Sequence, residues 1–398
     1  MAAAATKNGP QVEESPADTG SHHASTNKSE RARILDACER KDVDELRAIA
    51  IAPGGFLSDP LRSRAWPILL GFDAGATSGG STETSTSASW RHLPLHRDEE
   101  QVRLDVNRSF VYYPNDNTQT QLKEKKSELS DLITQVLREQ PYLCYFQGYH
   151  DICQVLLLVL PAPLRPPAVS RLSVLRIRDF MLPTLAPAVA QLHLIPDILH
   201  AVDPDLCRHL SRNEPYFALA DTLTMFAHNV QRYSDIARLF DALIAREQVF
   251  SIYVFAQIVT RRRDELLAHD EPDMLHFALS KLPPDLDLDA VIAEAALLFG
   301  RHPPESLRAW RRISGASVLK TTRDPGALAR QSLRDGRVFF DRQVGELRRA
   351  ELSQKVIQAA WANRTLLFTI LIGVGAIYLR RTATWTSLMA WVARLGWN

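Results

Sequence analysis

Apolar residues in this chain recur mainly with the spacing of helices. Val102, Val106 and Phe110 fall every four residues, and Leu129, Ile133, Val136 and Leu137 repeat the pattern before Gln140-Pro141. His150–Leu160 reads as an apolar helix stopped by Pro161. Further helices are expected over Ala168–Phe180, Phe217–Arg232, Ser234–Arg246, Gln248–Thr260 and Ala290–Leu298. The uncharged run Gln248–Thr260 has the length of a buried core helix and is too short for a membrane span. Strand-like alternation is scarce and no internal repeat is visible, so the expected fold class is all-α.

The pattern also divides the chain. Residues 1–30 are small, polar and rich in Pro, Ser and Thr, and cannot bury enough apolar area to offset their ordering entropy; disorder is expected there. Residues 31–53 form a short helical lead-in; the helical pattern itself runs over Ser29–Ala50, with Ile34, Leu35, Ala37, Val43 and Leu46 as its apolar positions. The main body is assigned to 54–300. It opens with Asp59 as helix cap and Pro60 at the first helical position; Leu61, Ala65, Ile68 and Leu69 share one face, and Gly71 ends the helix. A Gly/Ser/Thr-rich stretch at 72–89 interrupts the body as a low-complexity insertion. Residues 301–360 form a basic helical region: 301–350 hold 12 Lys/Arg against 5 Asp/Glu.

The C-terminal residues 361–398 differ in kind. Thr365–Leu379 carries no charge and lies between Arg364 and Arg380-Arg381. As a helix it is about 22 Å long, short of a ~30 Å hydrocarbon core. Counting from Trp361 lengthens it to roughly 28 Å if Arg364 snorkels to the interface. Trp361, Tyr378 and Trp385 then sit near the two boundaries, and the basic flank marks the cytosolic side. The expectation is a C-terminal transmembrane helix acting as a tail anchor, with the body in the cytosol; a helix docked on the body is the other reading. Thr382–Ala393 is placed in the interface or dipping into the bilayer.

Charge and composition exclude more than they assign. Lys+Arg 47 against Asp+Glu 46 gives a net +1, so the chain as a whole is no nucleic-acid binder. Four scattered cysteines without a C-x-x-C pair argue against a disulfide framework or structural zinc, and no metal ligand set is expected. No secretory signal opens the chain. Gly75–Ser81 has two glycines at phosphate-loop spacing but lacks the lysine and the preceding strand, so no nucleotide site belongs to this chain.

Two segments hold candidate chemistry. In Val102–Arg108, helical in pattern, Asp105 and Arg108 lie three apart and share a face, so the carboxylate can fix the guanidinium. Asp-x-x-Arg occurs five times in this chain, and by itself the pair reads as a surface salt bridge. Later, Tyr145-Phe146-Gln147-Gly148-Tyr149-His150-Asp151 places Gln147 on a loop that feeds a helix, with Asp151 in its first turn. For an arbitrary Gln-Gly, a loop glutamine bonded to nearby backbone is the ordinary reading.

Together the motifs resemble a known signature. Val102-x-x-Asp105-x-x-Arg108 followed by Tyr145-x-Gln147-Gly148-x-x-Asp151 is similar to the TBC-domain Rab GTPase-activating proteins. The domain opening (Leu61-Arg62, Trp66, Leu69-Leu70-Gly71) and Leu239-Phe240-Asp241 resemble the same family, over roughly residues 54–300. The C-terminal apolar segment is similar to that of tail-anchored, endoplasmic-reticulum members. Val102 stands where the family usually has Ile, and the insertion at 72–89 precedes the arginine segment, where it bears on which partners fit.

The resemblance implies a division of labour. GTP hydrolysis spreads charge over the phosphoryl oxygens and needs an oriented water, and an arginine supplied in trans is worth ~10³–10⁵ in rate. Arg108 would neutralise charge near the β–γ bridge and Gln147 would orient the water. Asp105 would hold Arg108, while Tyr145, Gly148 and Asp151 would shape the loop. Guanine nucleotide and Mg²⁺ would belong to the partner, a Rab GTPase of the ER–Golgi step in its GTP form, with the ER membrane as second partner. Alternatives are a non-catalytic Rab-recruiting scaffold and a membrane-structuring role of 361–398.

Overall fold

The computed structural model describes residues 19–72, 89–114, 117–211, 213–381 and 384–395. Among them every regular element is helical. The insertion expected at 72–89 lies almost wholly outside the described residues. The chain divides into two units, residues 1–340 and 341–398.

The first unit begins with α1 (Thr19–Glu39) and α2 (Val43–Ile51), where one pattern of apolar positions had suggested a single helix over 29–50. The break has a local cause: Asp42 takes an extended backbone conformation and its side chain accepts the amide of Glu45, capping α2. In turn, α1 starts earlier than expected, inside the stretch assigned to disorder. Its C-terminal half is nailed down through fully buried Ile34 and Ala37, and extending a formed helix is easier than starting one.

Next comes α3 (Asp59–Leu69), which buries Leu61, Ala65 and Trp66. Its cap is Ser58, one residue before the Asp59 expected, and Gly71 leaves the helix in the left-handed region at φ +80°. The helix Tyr233–Ala245 packs against α2 and α3. Between them lies a buried polar node. Asp241, with no exposed surface, accepts Arg62 Nε (3.0 Å), Trp66 Nε1 (2.8 Å) and the amide of Phe56 (3.2 Å). The domain-opening residues and the Leu239-Phe240-Asp241 segment are therefore two halves of one contact. The run expected to be a core helix is Phe250–Arg261, buried along almost its whole length and packed on Leu288–Arg301 and Leu194–Val202.

Two expected helices are interrupted. Over 168–180 the chain forms a helix to Arg171, a π-turn at Leu172–Arg176 and a 3₁₀ turn at Arg178–Met181. The wider turn carries Arg176, whose Nη2 donates to the carbonyl of Leu243 at 2.9 Å. Over 217–232 the helix Leu219–Leu223 stops after little more than one turn. Met225 and Phe226 follow at φ +50° and +66°, with the Phe226 amide bonded to the carbonyl of Asp221 at 2.7 Å. Periodicity could not show this, because Phe226 stays fully buried in a turn as it would in a helix.

The second unit comprises the end of the helix Leu333–Ala362 and the helices Arg364–Arg381 and Thr384–Leu395. The expected span from Trp361 is not one continuous helix, because Asn363 separates two. Arginines at both ends confine the apolar part of the 18-residue helix Arg364–Arg381 to fifteen residues. Among the described residues no helix is long and apolar enough to cross a membrane, so the transmembrane helix expected here is corrected to a shorter apolar helix.

Candidate functional site

Arg108 lies just beyond a helix rather than on it. α4 (Glu99–Val106) ends with Asn107 as its cap, and a turn bonds the Arg108 amide to the carbonyl of Asp105 at 3.0 Å. The expected pair forms all the same, Arg108 Nη2 donating to Asp105 Oδ1. Its asymmetry matters: the Asp105 side chain is 0 % exposed, that of Arg108 64 %. The same carboxylate accepts Gln101 Nε2 at 3.0 Å and the Tyr145 hydroxyl at 2.9 Å. A carboxylate fixed by two other donors holds one edge of the guanidinium and leaves the rest free for a ligand.

Gln147 sits on the loop between α5 (Gln119–Glu139) and α6 (Tyr149–Val159) and is exposed. Gly148 caps the helix at φ +100°, and a Cβ there would stand 2.6 Å from Thr224 Cγ2. Glycine is required on both grounds, backbone and space. Tyr145 links this loop to Asp105 and is 3.1 Å from His150 Nδ1. Tyr145 has one hydroxyl proton, and the tautomer of neutral His150 is tied to whether that proton lies toward Asp105 or toward the ring. Burial pulls the His150 pKa down, which favours that neutral form, and pushes the Tyr145 phenol up.

Asp151, three residues into α6, lies between two imidazoles. His150 Nε2 is 3.2 Å from Oδ1, and His228 Nδ1 is 3.0 Å from Oδ2. The bond to Asp151 raises the pKa of His228. Thus Arg108, Asp105, Tyr145, His150, Asp151 and His228 form one chain of polar contacts, buried at its middle and exposed at Arg108 and His228.

Above that chain opens a cavity of about 600 Å³ lined by Arg108, Gln147, Gly148 and Asp151, with Tyr112 and Tyr216 on its walls. The two residues singled out from sequence therefore share one cleft. So do Gly148 and Asp151, while Asp105 and Tyr145 support it from behind. An exposed cation and an exposed carboxamide over one concavity suit an anionic ligand presented by another molecule.

Three contributors escaped the sequence reading. Gln154 accepts the Phe110 amide at 2.9 Å and donates to the carbonyl of Tyr113 at 3.3 Å, tying the segment after Arg108 to α6. Its signal was a polar residue within the otherwise apolar run Ile152–Leu160. Thr224 and His228 lie in the turn where an uninterrupted helix was expected, and no local signal marks them.

A family model described as Rab-GTPase-TBC domain matches residues 59–267. The GTPase-activating protein gyp10 of Schizosaccharomyces pombe is 34 % identical over 327 residues, which cover 80 % of this chain and 85 % of that one. TBC1 domain family member 20 of Homo sapiens is 30 % identical over 383 residues, with 92 % and 93 % covered. In three dimensions the chain resembles the Ypt/Rab-GAP domain of Gyp1p at a TM-score of 0.53 and 15 % identity, over 65 % of this chain and 93 % of that one. The RabGAP TBC domain from the Chlamydomonas flagellum gives 0.52 at 12 % identity, with 72 % and 97 % covered.

Proposed function

Since the chain belongs to the Rab-GTPase-TBC domain family, we propose that it accelerates GTP hydrolysis on a Rab GTPase by supplying two groups in trans. Arg108 enters the partner's nucleotide site and balances charge developing on the phosphoryl oxygens; Gln147 orients the attacking water. Asp105 orients Arg108, and Tyr145, Gly148 and Asp151 hold the Gln147 loop. Nucleotide and Mg²⁺ come with the partner. The observation that carries this reading is the placement of exposed Arg108 and exposed Gln147 on one cleft, with Arg108 held by the buried carboxylate of Asp105. A purely recruiting scaffold needs neither side chain poised in this way.

A second element of the proposal is attachment to the endoplasmic reticulum membrane and action at the ER–Golgi step, of which the apolar C-terminal helices support the membrane attachment. Ile372, Val374, Ile377 and Tyr378 of one helix, with Trp391 and Val392 of the next, are exposed, and burial of such side chains in the bilayer supplies affinity without a complete crossing.

A hydrolysis screen over a panel of GTP-loaded Rab proteins tests the activity. Faster phosphate release from at least one of them is expected; no acceleration across the panel overturns the reading. Flotation of the full chain on vesicles of ER lipid composition, against a chain ending at residue 360, tests the attachment. Equal flotation of the two overturns it.

A further inference from the structure

The turn between Leu223 and Tyr233 touches the end of the glutamine loop and the first turn of α6. Thr224 packs against Gly148, and His228 reaches across to Asp151. The turn itself is braced: Thr224 Oγ1 accepts the His228 amide at 3.3 Å, and Asn229 Nδ2 donates to buried Asp221 Oδ1 at 2.8 Å. Asp151 Oδ1 faces the buried His150 Nε2 at 3.2 Å, and its Oδ2 takes the contact with His228 Nδ1 at 3.0 Å. Of the two imidazoles, that of His228 is the exposed one, its side chain 60 % exposed at the cleft rim.

We propose that His228 is a positioning residue for Gln147: as an imidazolium it pins Asp151, and with Thr224 it fixes the first turn of α6 and the loop preceding it. This rests on the activity proposed above. Neutral His228 makes a weaker, uncharged bond and lets the loop relax, so the device is engaged on the acid side. The pair with Asp151 raises the His228 pKa, as does Asp221, so protonation persists above the ordinary histidine value of 6.5. The titratable and charged groups around it are Asp151 and His150 on α6, Asp221 beneath, Arg108 and Tyr113 from the segment after α4, and His276 across the cleft. Asp221 is pushed up to about 7 by burial, so its ionisation reinforces His228 protonation over the same range.

The test is single-turnover phosphate release from one GTP-loaded Rab, with the full chain in detergent, from about pH 6 to about pH 8.5, bracketing histidine titration. Wild type is compared with His228→Gln, His228→Lys and Arg108→Ala. The expected result is a maximal rate roughly fivefold lower for His228→Gln at the acid end, converging on wild type at the alkaline end; a full ångström of misplacement costs ~10². His228→Lys should keep the high rate without the decline, and KM should stay within about twofold in all three. Parallel pH profiles for wild type and His228→Gln, or a change confined to KM, would overturn the proposal. Loss of the Arg108 dependence would instead strike the activity itself. Independently of activity, the His228 ring titration followed by NMR should lie above 6.5 and fall in Asp151→Asn; an ordinary value unmoved by that substitution removes the pair.

Discussion

The Tyr145 hydroxyl donates to Asp105 Oδ2 at 2.9 Å, and that bond fastens the loop carrying Gln147 to the carboxylate that orients Arg108. The two exposed groups are thus set relative to one another by a buried contact neither of them makes. Tyr145→Phe removes it while keeping the ring packed edge-on against Tyr149. Asp105 retains Gln101 and Arg108, so the expected cost to stability is about 1 kcal/mol. The GTPase-activating rate should fall about tenfold, a misalignment smaller than a full ångström. A stopped-flow phosphate assay beside urea unfolding checks both, and an unchanged rate would show that loop and arginine act independently.

Gly148 offers a sharper steric test. Gly148→Ala must place a methyl 2.6 Å from Thr224 Cγ2 on a backbone at φ +100°. The expected outcome is a loss of about 1–3 kcal/mol and a large fall in activity. Gly148→Ala combined with Thr224→Ser, which removes the opposing methyl, should recover part of the stability. No recovery would show that backbone strain, not crowding, dominates.

These cases also show what the sequence disclosed. Arg108, Asp105, Tyr145 and Gln147 were singled out because their motifs in this order resemble a family signature, and the helical body was legible in the apolar period. Asp241 and Arg62 were seen only as separate motif pieces, since the partners of that contact stand 179 positions apart in the chain. Periodicity failed at 224–232, where backbone turns in the left-handed region keep apolar side chains buried, and His228 was lost with it. At the C-terminus, a count of uncharged residues could not reveal the break at Asn363.

The Asp241 node governs stability rather than catalysis. Asp241→Asn weakens the buried bonds to Arg62, Trp66 and Phe56 but leaves the guanidinium its bond to Asp59 Oδ1 at 2.9 Å, so the expected cost is about 1.5–3 kcal/mol. Guanidinium unfolding should show a midpoint well below wild type. A midpoint within error of wild type would mean the carboxylate contributes nothing net.

Buried Asp221 gives a pH dependence of known sign. Its carboxyl is pushed up to about 7 in the fold, above its ordinary 3.8, so the folded state holds more protons between those values. Stability contributed by this group is therefore lost as pH rises through that interval, by an amount on the order of a few kcal/mol. Asp221→Asn should remove that loss. Urea unfolding of both proteins at about pH 5 and about pH 8 checks it, the variant gaining on wild type at the higher value. A constant difference between the two would contradict the assignment.

The central claim concerns one guanidinium. Single-turnover phosphate release from a responsive GTP-loaded Rab, measured with wild type, Arg108→Ala and Arg108→Lys at matched folded concentration, tests it most directly. Both variants should lose most of an acceleration of ~10³–10⁵, because lysine cannot reproduce the planar fork, while unfolding midpoints stay put. Arg108→Ala turning over as fast as wild type would contradict the account.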